Sequence, residues 1–173
     1  MKHLLMPSQT IGPFPHEGWR WASAVNTKPA AERTADLVVT GKVYDGAGDP
    51  VNDAWLEFWS PAAAEAESST SRAIPGFRRT QTDADGAYRA ELSASWGAPG
   101  SGIFVTLFSR GLLLHLYSAV FLEDAPDLGK MELLAQVPPA RRATLLARRQ
   151  PDGSYRWDVH LQGALETVFF EFG

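Results

Sequence analysis

The sequence contains no cysteine and no surplus of positive charge, and each absence excludes a class of function. Without cysteine, disulfides, zinc–thiolate sites and thiol nucleophiles are excluded. The 16 Lys and Arg residues are outnumbered by 20 Asp and Glu residues, which gives a net charge of −4. This charge is unlike the basic surface of a dedicated DNA-binding protein.

Long hydrophobic runs are also missing. No stretch reaches the roughly 18 apolar residues of a membrane-spanning helix, since the longest candidate, residues 103–122, is interrupted by Arg110 and His115. The residues before Pro7 include one Lys and three apolar residues, too few for a signal peptide. We therefore expect a cytoplasmic protein.

What is present suits a single globular domain preceded by an arm. A chain of 173 residues, 45% of them hydrophobic, has enough apolar surface for one core. Residues 1–34 carry four prolines as well as Trp19 and Trp21, and proline resists helix and sheet interiors. An aromatic-rich arm needs a surface, which could belong to its own domain (residues 35–173) or to a partner.

From residue 35 the pattern indicates strands. Short β-rich runs, separated by Gly and Pro turns, occupy residues 37–44, 54–59, 77–82, 102–110, 112–122, 155–161 and 167–172. Residues 61–75 are small and polar and predict a surface loop, and Asp85-Gly86 predicts a tight turn. Helical signals are confined to residues 130–136 and 138–148. The pattern predicts an all-β protein, an antiparallel β-sandwich with short helices near 130–149.

Few residues suggest chemistry of their own. No two of the four histidines are spaced by two to four residues, as a local metal site would favour. His160 lies on the polar face of its strand and is interpreted as solvated, whereas His115 lies in an apolar run and is interpreted as a hydrogen-bonded core residue. Arg110 interrupts apolar sequence beside Gly111, and could pair with a substrate carboxylate or close a structural ion pair.

Several segments, in order along nearly the whole chain, resemble the intradiol ring-cleaving dioxygenases. They are residues 7–14 (PSQTIGPF), 41–46 (GKVYDG), 55–59 (WLEFW), 82–88 (TDADGAY), 107–111 (LFSRG), 114–117 (LHLY), 155–163 (YRWDVHLQG) and 166–172 (ETVFFEF). The arm and the C-terminal segment resemble specifically the alpha subunit, which binds no iron, of the two-subunit members.

The resemblance implies a β-sandwich that joins a homologous catalytic beta subunit. That complex would cleave 3,4-dihydroxybenzoate with O2 to 3-carboxy-cis,cis-muconate, using Fe(III) held by two Tyr and two His of the beta subunit. At the positions of the His pair this chain has Gly102 and Phe104, and residues 65–71, where the first Tyr ligand would fall, contain no Tyr. We therefore expect this chain to bind no metal.

The resemblance also implies that the alpha chain lines the substrate cleft without supplying a catalytic residue by itself. The cleft residues implied for this chain are Thr10, Gly12, Pro13, Phe14 and Arg110. Family members often have Tyr at the position of Phe14, so a hydroxyl is absent here. The expected partners are the beta subunit and a small aromatic acid, with no nucleic acid and no membrane.

Two other functions stay open at this stage. The turns at residues 41–51 and 82–88 also resemble transthyretin-like and carboxypeptidase-regulatory modules, which are non-enzymatic β-sandwiches. A metal-independent homomeric hydrolase is the third possibility, although no nucleophile–base pair is recognisable. The arm and the Leu107–Gly111 segment together favour the dioxygenase subunit.

Overall fold

The computed structural model describes residues 36–68, 74–100 and 102–171. The strands of this part are β1 (Leu37–Tyr44), β2 (Trp55–Trp59), β3 (Phe77–Gln81), β4 (Ala87–Leu92), β5 (Ile103–Phe108), β6 (Leu116–Leu122), β7 (Leu146–Arg149), β8 (Tyr155–Arg156) and β9 (Val159–His160). Two α-helices, α1 (Pro61–Glu67) and α2 (Glu132–Gln136), and three 3-10 turns (Ala94–Gly97, Leu128–Lys130 and Pro139–Leu145) complete it. The protein is thus mostly β with few short helices, as predicted.

Hydrogen-bonded neighbours in the sheet follow the order β3-β2-β5-β6-β7-β8-β1-β4, and β9 pairs with β1. Five pairings are antiparallel, including β1 with β4 and β5 with β6. Three are parallel: β1 with β8, β1 with β9, and β6 with β7. The prediction of a purely antiparallel arrangement is therefore wrong, because the C-terminal strands run alongside β1 and β6 rather than folding back on them.

Strand β1 shows how the sequence builds the core. Its residues alternate between buried and half-buried along all eight positions, as expected of a strand with one face on a core. Where Gly41 stands, a Cβ atom would lie 1.8 Å from the carbonyl oxygen of Trp157. That same carbonyl accepts a hydrogen bond of 2.6 Å from the buried Tyr88 hydroxyl. Gly41 therefore permits the close approach of β1 and the β8–β9 segment.

The C-terminal part contains a second, smaller cluster of buried residues. Ala119 and Phe121 of β6 pack there against Leu134, Val137 and Leu145, contributed by α2 and the 3-10 turn that follows it. The helix predicted over 130–136 is confirmed for residues 132–136. The helix predicted over 138–148 is only a 3-10 turn, and its end is wrong, since residues 146–149 form strand β7 between β6 and β8.

Three further expectations need correction. Residues 61–67, predicted as loop, form helix α1, whose N-cap Ser60 accepts a hydrogen bond from the Ala63 amide at 3.3 Å. Residues 112–115 are a loop rather than the start of β6. The predicted last strand is reduced, in the described residues, to one bridge between Phe170 and Tyr117.

A buried ion pair joins α1 to β3. Glu67 and Arg78 have side chains only 4% and 5% exposed, and their closest charged atoms are 2.5 Å apart. The Glu67 carboxylate also accepts hydrogen bonds from the Gly76 amide, the Ser93 hydroxyl and the Trp96 indole. Burial raises the pKa of Glu67, but the hydrogen bonds from Arg78, Ser93 and Gly76, together with the charge of Arg78, outweigh it and lower the pKa to about 2. The carboxylate is therefore ionised over the whole physiological range.

In the ranges that the structure describes, no helix is long and apolar enough to span a membrane. The helices α1 and α2 have only seven and five residues.

Candidate functional site

Arg110 lies in the turn that follows β5. This strand ends at Phe108, Ser109 is buried, and Gly111 adopts a positive φ of 90°, which L residues disfavour. The turn carries the Arg110 side chain out of the sheet, where 66% of it is exposed. An arginine at this position is therefore accessible to a ligand, which the sequence prediction required.

Asp53 is the partner of Arg110. The Nε atom of Arg110 lies 3.0 Å from Oδ2 of Asp53, whose side chain is only 12% exposed. The Ser109 hydroxyl donates a hydrogen bond of 3.3 Å to the other carboxylate oxygen. No sequence pattern predicts this contact, because the two charged residues are far apart in the chain and Asp53 belongs to the turn that precedes β2.

These residues border a shallow cleft with a volume of about 380 Å³. Its lining residues are Asn52, Asp53, Gln81, Thr82, Asp83, Ala84 and Arg110. The Asp83 carboxylate is held by its own turn, where it accepts hydrogen bonds from the amides of Asp85 and Ala87 at 2.9 Å each. With one guanidinium and two carboxylates, the cleft is not an anion site as a whole, and what it offers to an anion is the outward N–H groups of Arg110.

The positions of the expected iron-binding histidines lie at the start of β5. Phe104 faces outward, is 38% exposed, and stands opposite Trp59 of β2 in the strand register. Gly102 lies beside the rings of Phe104 and Phe121. Neither a glycine nor a phenylalanine side chain offers a donor atom to a metal. Within residues 36–68, 74–100 and 102–171, no group of three or more His, Asp or Glu side chains is placed to hold a metal ion.

The two described histidines have aromatic partners. His115 is exposed, so its interpretation as a core residue is wrong, although its Nε2 atom does form a hydrogen bond of 2.5 Å with the Tyr117 hydroxyl. His160 is half-buried and stacks on Tyr44, with ring centroids 4.9 Å apart. Its interpretation as a fully solvated side chain is therefore only partly correct.

The four remaining cleft residues implied by the resemblance lie outside the described residues. They are Thr10, Gly12, Pro13 and Phe14. The structure therefore locates Arg110 alone among the predicted site residues, and it does not bear on whether the arm reaches the same cleft.

Relatives of known name share most of the chain. The protocatechuate 3,4-dioxygenase alpha chain of Pseudomonas putida is 32% identical over 96% of this chain and 96% of its own length. The corresponding alpha chain of Burkholderia cepacia is 34% identical over 95% of this chain and 96% of its own length. The beta chain from the latter organism is 27% identical over 90% of this chain. No family model matches the sequence.

Solved structures with a similar fold are dioxygenases. Catechol 1,2-dioxygenase from Acinetobacter sp. ADP1 superposes with a TM-score of 0.54 at 15% identity over 78% of this chain, which spans about half (55%) of that structure. The dioxygenase domain of a carbohydrate-binding fusion protein from Streptomyces sp. SirexAA-E gives a TM-score of 0.51 at 22% identity, covering 91% of this chain and 98% of the domain.

The similarity of sequence and the similarity of fold point to the same enzymes. A beta chain also matches most of this sequence, so the general similarity alone does not separate an alpha from a beta chain. The identity is higher to the two alpha chains, and it extends over nearly all of both sequences. This chain belongs to the family of intradiol ring-cleaving dioxygenases, as a member of its alpha-chain branch.

Proposed function

We propose that this chain pairs with a homologous beta subunit to form an enzyme that cleaves 3,4-dihydroxybenzoate between its two hydroxyl-bearing carbons. In that reaction one ring C–C bond breaks and both atoms of O2 enter the product, 3-carboxy-cis,cis-muconate, so that no further reductant is needed. The observation that carries the proposal is the identity of 32% and 34% to two alpha chains over at least 95% of this chain. A binding module unrelated to catalysis would have no reason to share it.

The side chains available as metal ligands indicate which subunit binds the iron. Iron in this family is Fe(III), and the side chains at positions 102 and 104 do not fit it, because glycine and phenylalanine supply no ligand. We therefore assign the iron to the beta subunit. What this chain contributes is its own surface: a wall of the substrate cleft and a cationic side chain.

Arg110 is the side chain to which we assign that contribution. Its side chain is mostly exposed and, among the residues that the structure describes, pairs with Asp53 through Nε. A charge-assisted hydrogen bond from the remaining N–H groups to the substrate carboxylate would orient the aromatic ring. We place residues Thr10, Gly12, Pro13 and Phe14 of the arm on the same wall, where the Phe14 ring would supply an apolar contact.

The rest of the proposal concerns organisation. We infer that residues 1–34 form an arm that packs on this domain and on the partner, and that residues 35–173 form the sandwich. Contact between Phe58 of β2 and Tyr88 of β4, with ring centroids 6.1 Å apart, supports two facing layers. We place the enzyme in the cytoplasm.

The test is reconstitution with the beta subunit. We expect the isolated chain to be inactive and the complex to consume O2 and form the ring-opened product. Arg110→Ala should lower the kcat/KM of the complex by about 10- to 100-fold, since a charge-assisted hydrogen bond contributes roughly 1.5–3 kcal/mol. Because Arg110→Ala leaves the largely buried Asp53 carboxylate without its ionic partner, it should also lower stability by about 1–3 kcal/mol, and kcat/KM is therefore compared at a temperature at which both complexes are folded.

Arg89→Ala provides the matched control. Arg89 is similarly exposed and also forms an ion pair through Nε, with Glu91 at 3.2 Å, but it lies on β4 away from the cleft. It should leave kcat/KM unchanged. A beta subunit that is equally active without this chain, or an Arg110→Ala complex with wild-type kcat/KM, would contradict the corresponding part of the proposal.

A further inference from the structure

The Asp53–Arg110 pair is asymmetric in a way that an ordinary surface salt bridge is not. The Asp53 side chain is largely buried, while the Arg110 side chain projects outward. Oδ2 of Asp53 is fully buried, and no hydrogen bond of good geometry reaches it from the described residues. Since a buried carboxylate oxygen is costly without compensation, the nearby Nε of Arg110 is its electrostatic partner. Asp53 is thus the buried member of the pair, and it holds the exposed guanidinium of Arg110 in place.

The guanidinium atom that contacts Asp53 determines which N–H groups of Arg110 remain available to a ligand. Asp53 engages Nε, and neither Nη atom of Arg110 has a hydrogen bond or ion pair among the described residues. The guanidinium fork is planar and rigid, so fixing Nε also fixes the direction of both Nη atoms. An anion that approaches from solvent therefore meets two N–H groups in a defined orientation.

The other acid of the cleft does not share this role. Asp83 lines the same cleft but is engaged by the backbone of its own turn. On the opposite side, Ser109 restrains the Asp53 carboxylate through the hydrogen bond to Oδ1. Ser109 therefore holds Asp53 in place, and Asp53 in turn holds Arg110.

We propose that Asp53 is a positioning residue, which orients Arg110 through Nε so that its two Nη atoms receive the carboxylate of the aromatic acid. This inference rests on the proposed function, because it requires that Arg110 contact the substrate. The benefit is preorganisation: a long, flexible side chain loses less conformational entropy on binding when it is already held in the bound orientation.

The experiment is a double-mutant cycle in the reconstituted alpha–beta complex, measured with 3,4-dihydroxybenzoate. Asp53→Asn keeps an oxygen beside Nε but removes the charge and should lower kcat/KM about threefold, whereas Asp53→Ser, which cannot reach Nε, should lower it about tenfold, mainly through KM. In the Arg110→Ala background both substitutions should have no further effect. Asp124→Asn is the control and should keep wild-type kcat/KM, since Asp124 also pairs with an exposed arginine, Arg149, at 2.7 Å, but does not line this cleft.

The outcomes separate this inference from the function on which it rests. Loss of activity in Arg110→Ala with wild-type kcat/KM in both Asp53 variants overturns the positioning role and leaves the proposed function standing. An Asp53 effect that persists in full in the Arg110→Ala background, or that follows a loss of melting temperature, shows a structural role and also overturns it. If Arg110→Ala is itself silent, the positioning role of Asp53 and the substrate role of Arg110 fail together, whereas the proposed alpha–beta enzyme fails only if the complex is inactive or the beta subunit is equally active alone.

Discussion

Glu67 offers the sharpest test of how the fold is held together. Replacing it with Gln keeps the shape of the side chain but removes the charge that faces Arg78 in a site closed to water. Removing one member of a buried ion pair costs about 3–5 kcal/mol, because the other charge is left without compensation. Arg78 would keep the Phe77 and Glu91 carbonyls as hydrogen-bond acceptors. We therefore expect the lower end of that range, about 3 kcal/mol.

The lowered pKa of Glu67 agrees with this magnitude. It is lowered from 4.5 to about 2, and each unit corresponds to about 1.4 kcal/mol, so the ionised carboxylate contributes about 3 kcal/mol. The unfolded chain takes up a proton near pH 4.5 while the folded chain does not. This stability is consequently present in full above about pH 5 and is lost as the pH falls towards 2.

Thermal and urea unfolding measure both effects. At pH 7 the Glu67→Gln variant should melt about 6–12 °C lower than the wild type, since 1 kcal/mol corresponds to about 2–4 °C in a domain of this size. Between pH 5 and 2 its free energy of unfolding should fall less steeply than that of the wild type. Glu91→Gln, in the exposed pair with Arg89, is the control and should change stability by less than about 0.5 kcal/mol. A Glu67→Gln variant as stable as this control would refute the reasoning.

Two further predictions concern backbone packing and surface. Gly41→Ala should destabilise the chain by at least about 3 kcal/mol, because its Cβ would collide with the Trp157 carbonyl. Gly129→Ala is the control and should be tolerated, since no atom lies within 4 Å of its Cβ position. Equal melting temperatures of the two variants would contradict this prediction. Phe104→Ser should reduce self-association of the isolated chain in light scattering, since Phe104 and Trp59 are exposed neighbours on one sheet face. Unchanged association would show that this face is not involved.

The parts of the fold that the sequence predicts well are those in which one face of a strand is buried. The alternation at residues 155–161 predicts one strand with Tyr155, Trp157, Val159 and Leu161 pointing inward; the first three are buried and Leu161 is half-buried, but the strand is interrupted between β8 and β9. The turn at Asp83–Gly86 is confirmed as well: Gly86 has a φ of 69°, and Asp83 caps the turn through backbone amides. Here local residue chemistry and tertiary packing favour the same conformation.

The sequence predictions are wrong where contacts between residues far apart in the chain determine the local conformation. Residues 146–149 carry helix-compatible residues, but β6 and β8 offer strand pairing on both sides and override that preference. Helix α1 was predictable from Ser60-Pro61, a capping residue followed by proline in the first turn, yet its small residues suggested a loop. Asp53 could not be found from the sequence, because nothing local connects it to Arg110.

The central claim is that this chain serves a dioxygenase without holding its iron, and the iron content of each subunit tests it most directly. Metal analysis and visible spectroscopy should be made on the isolated chain, the beta subunit and their complex. We predict one iron per alpha–beta pair, and an isolated chain that is colourless, without the tyrosinate-to-iron charge-transfer band. One tightly bound iron in the isolated chain, or two irons per alpha–beta pair, would contradict the account.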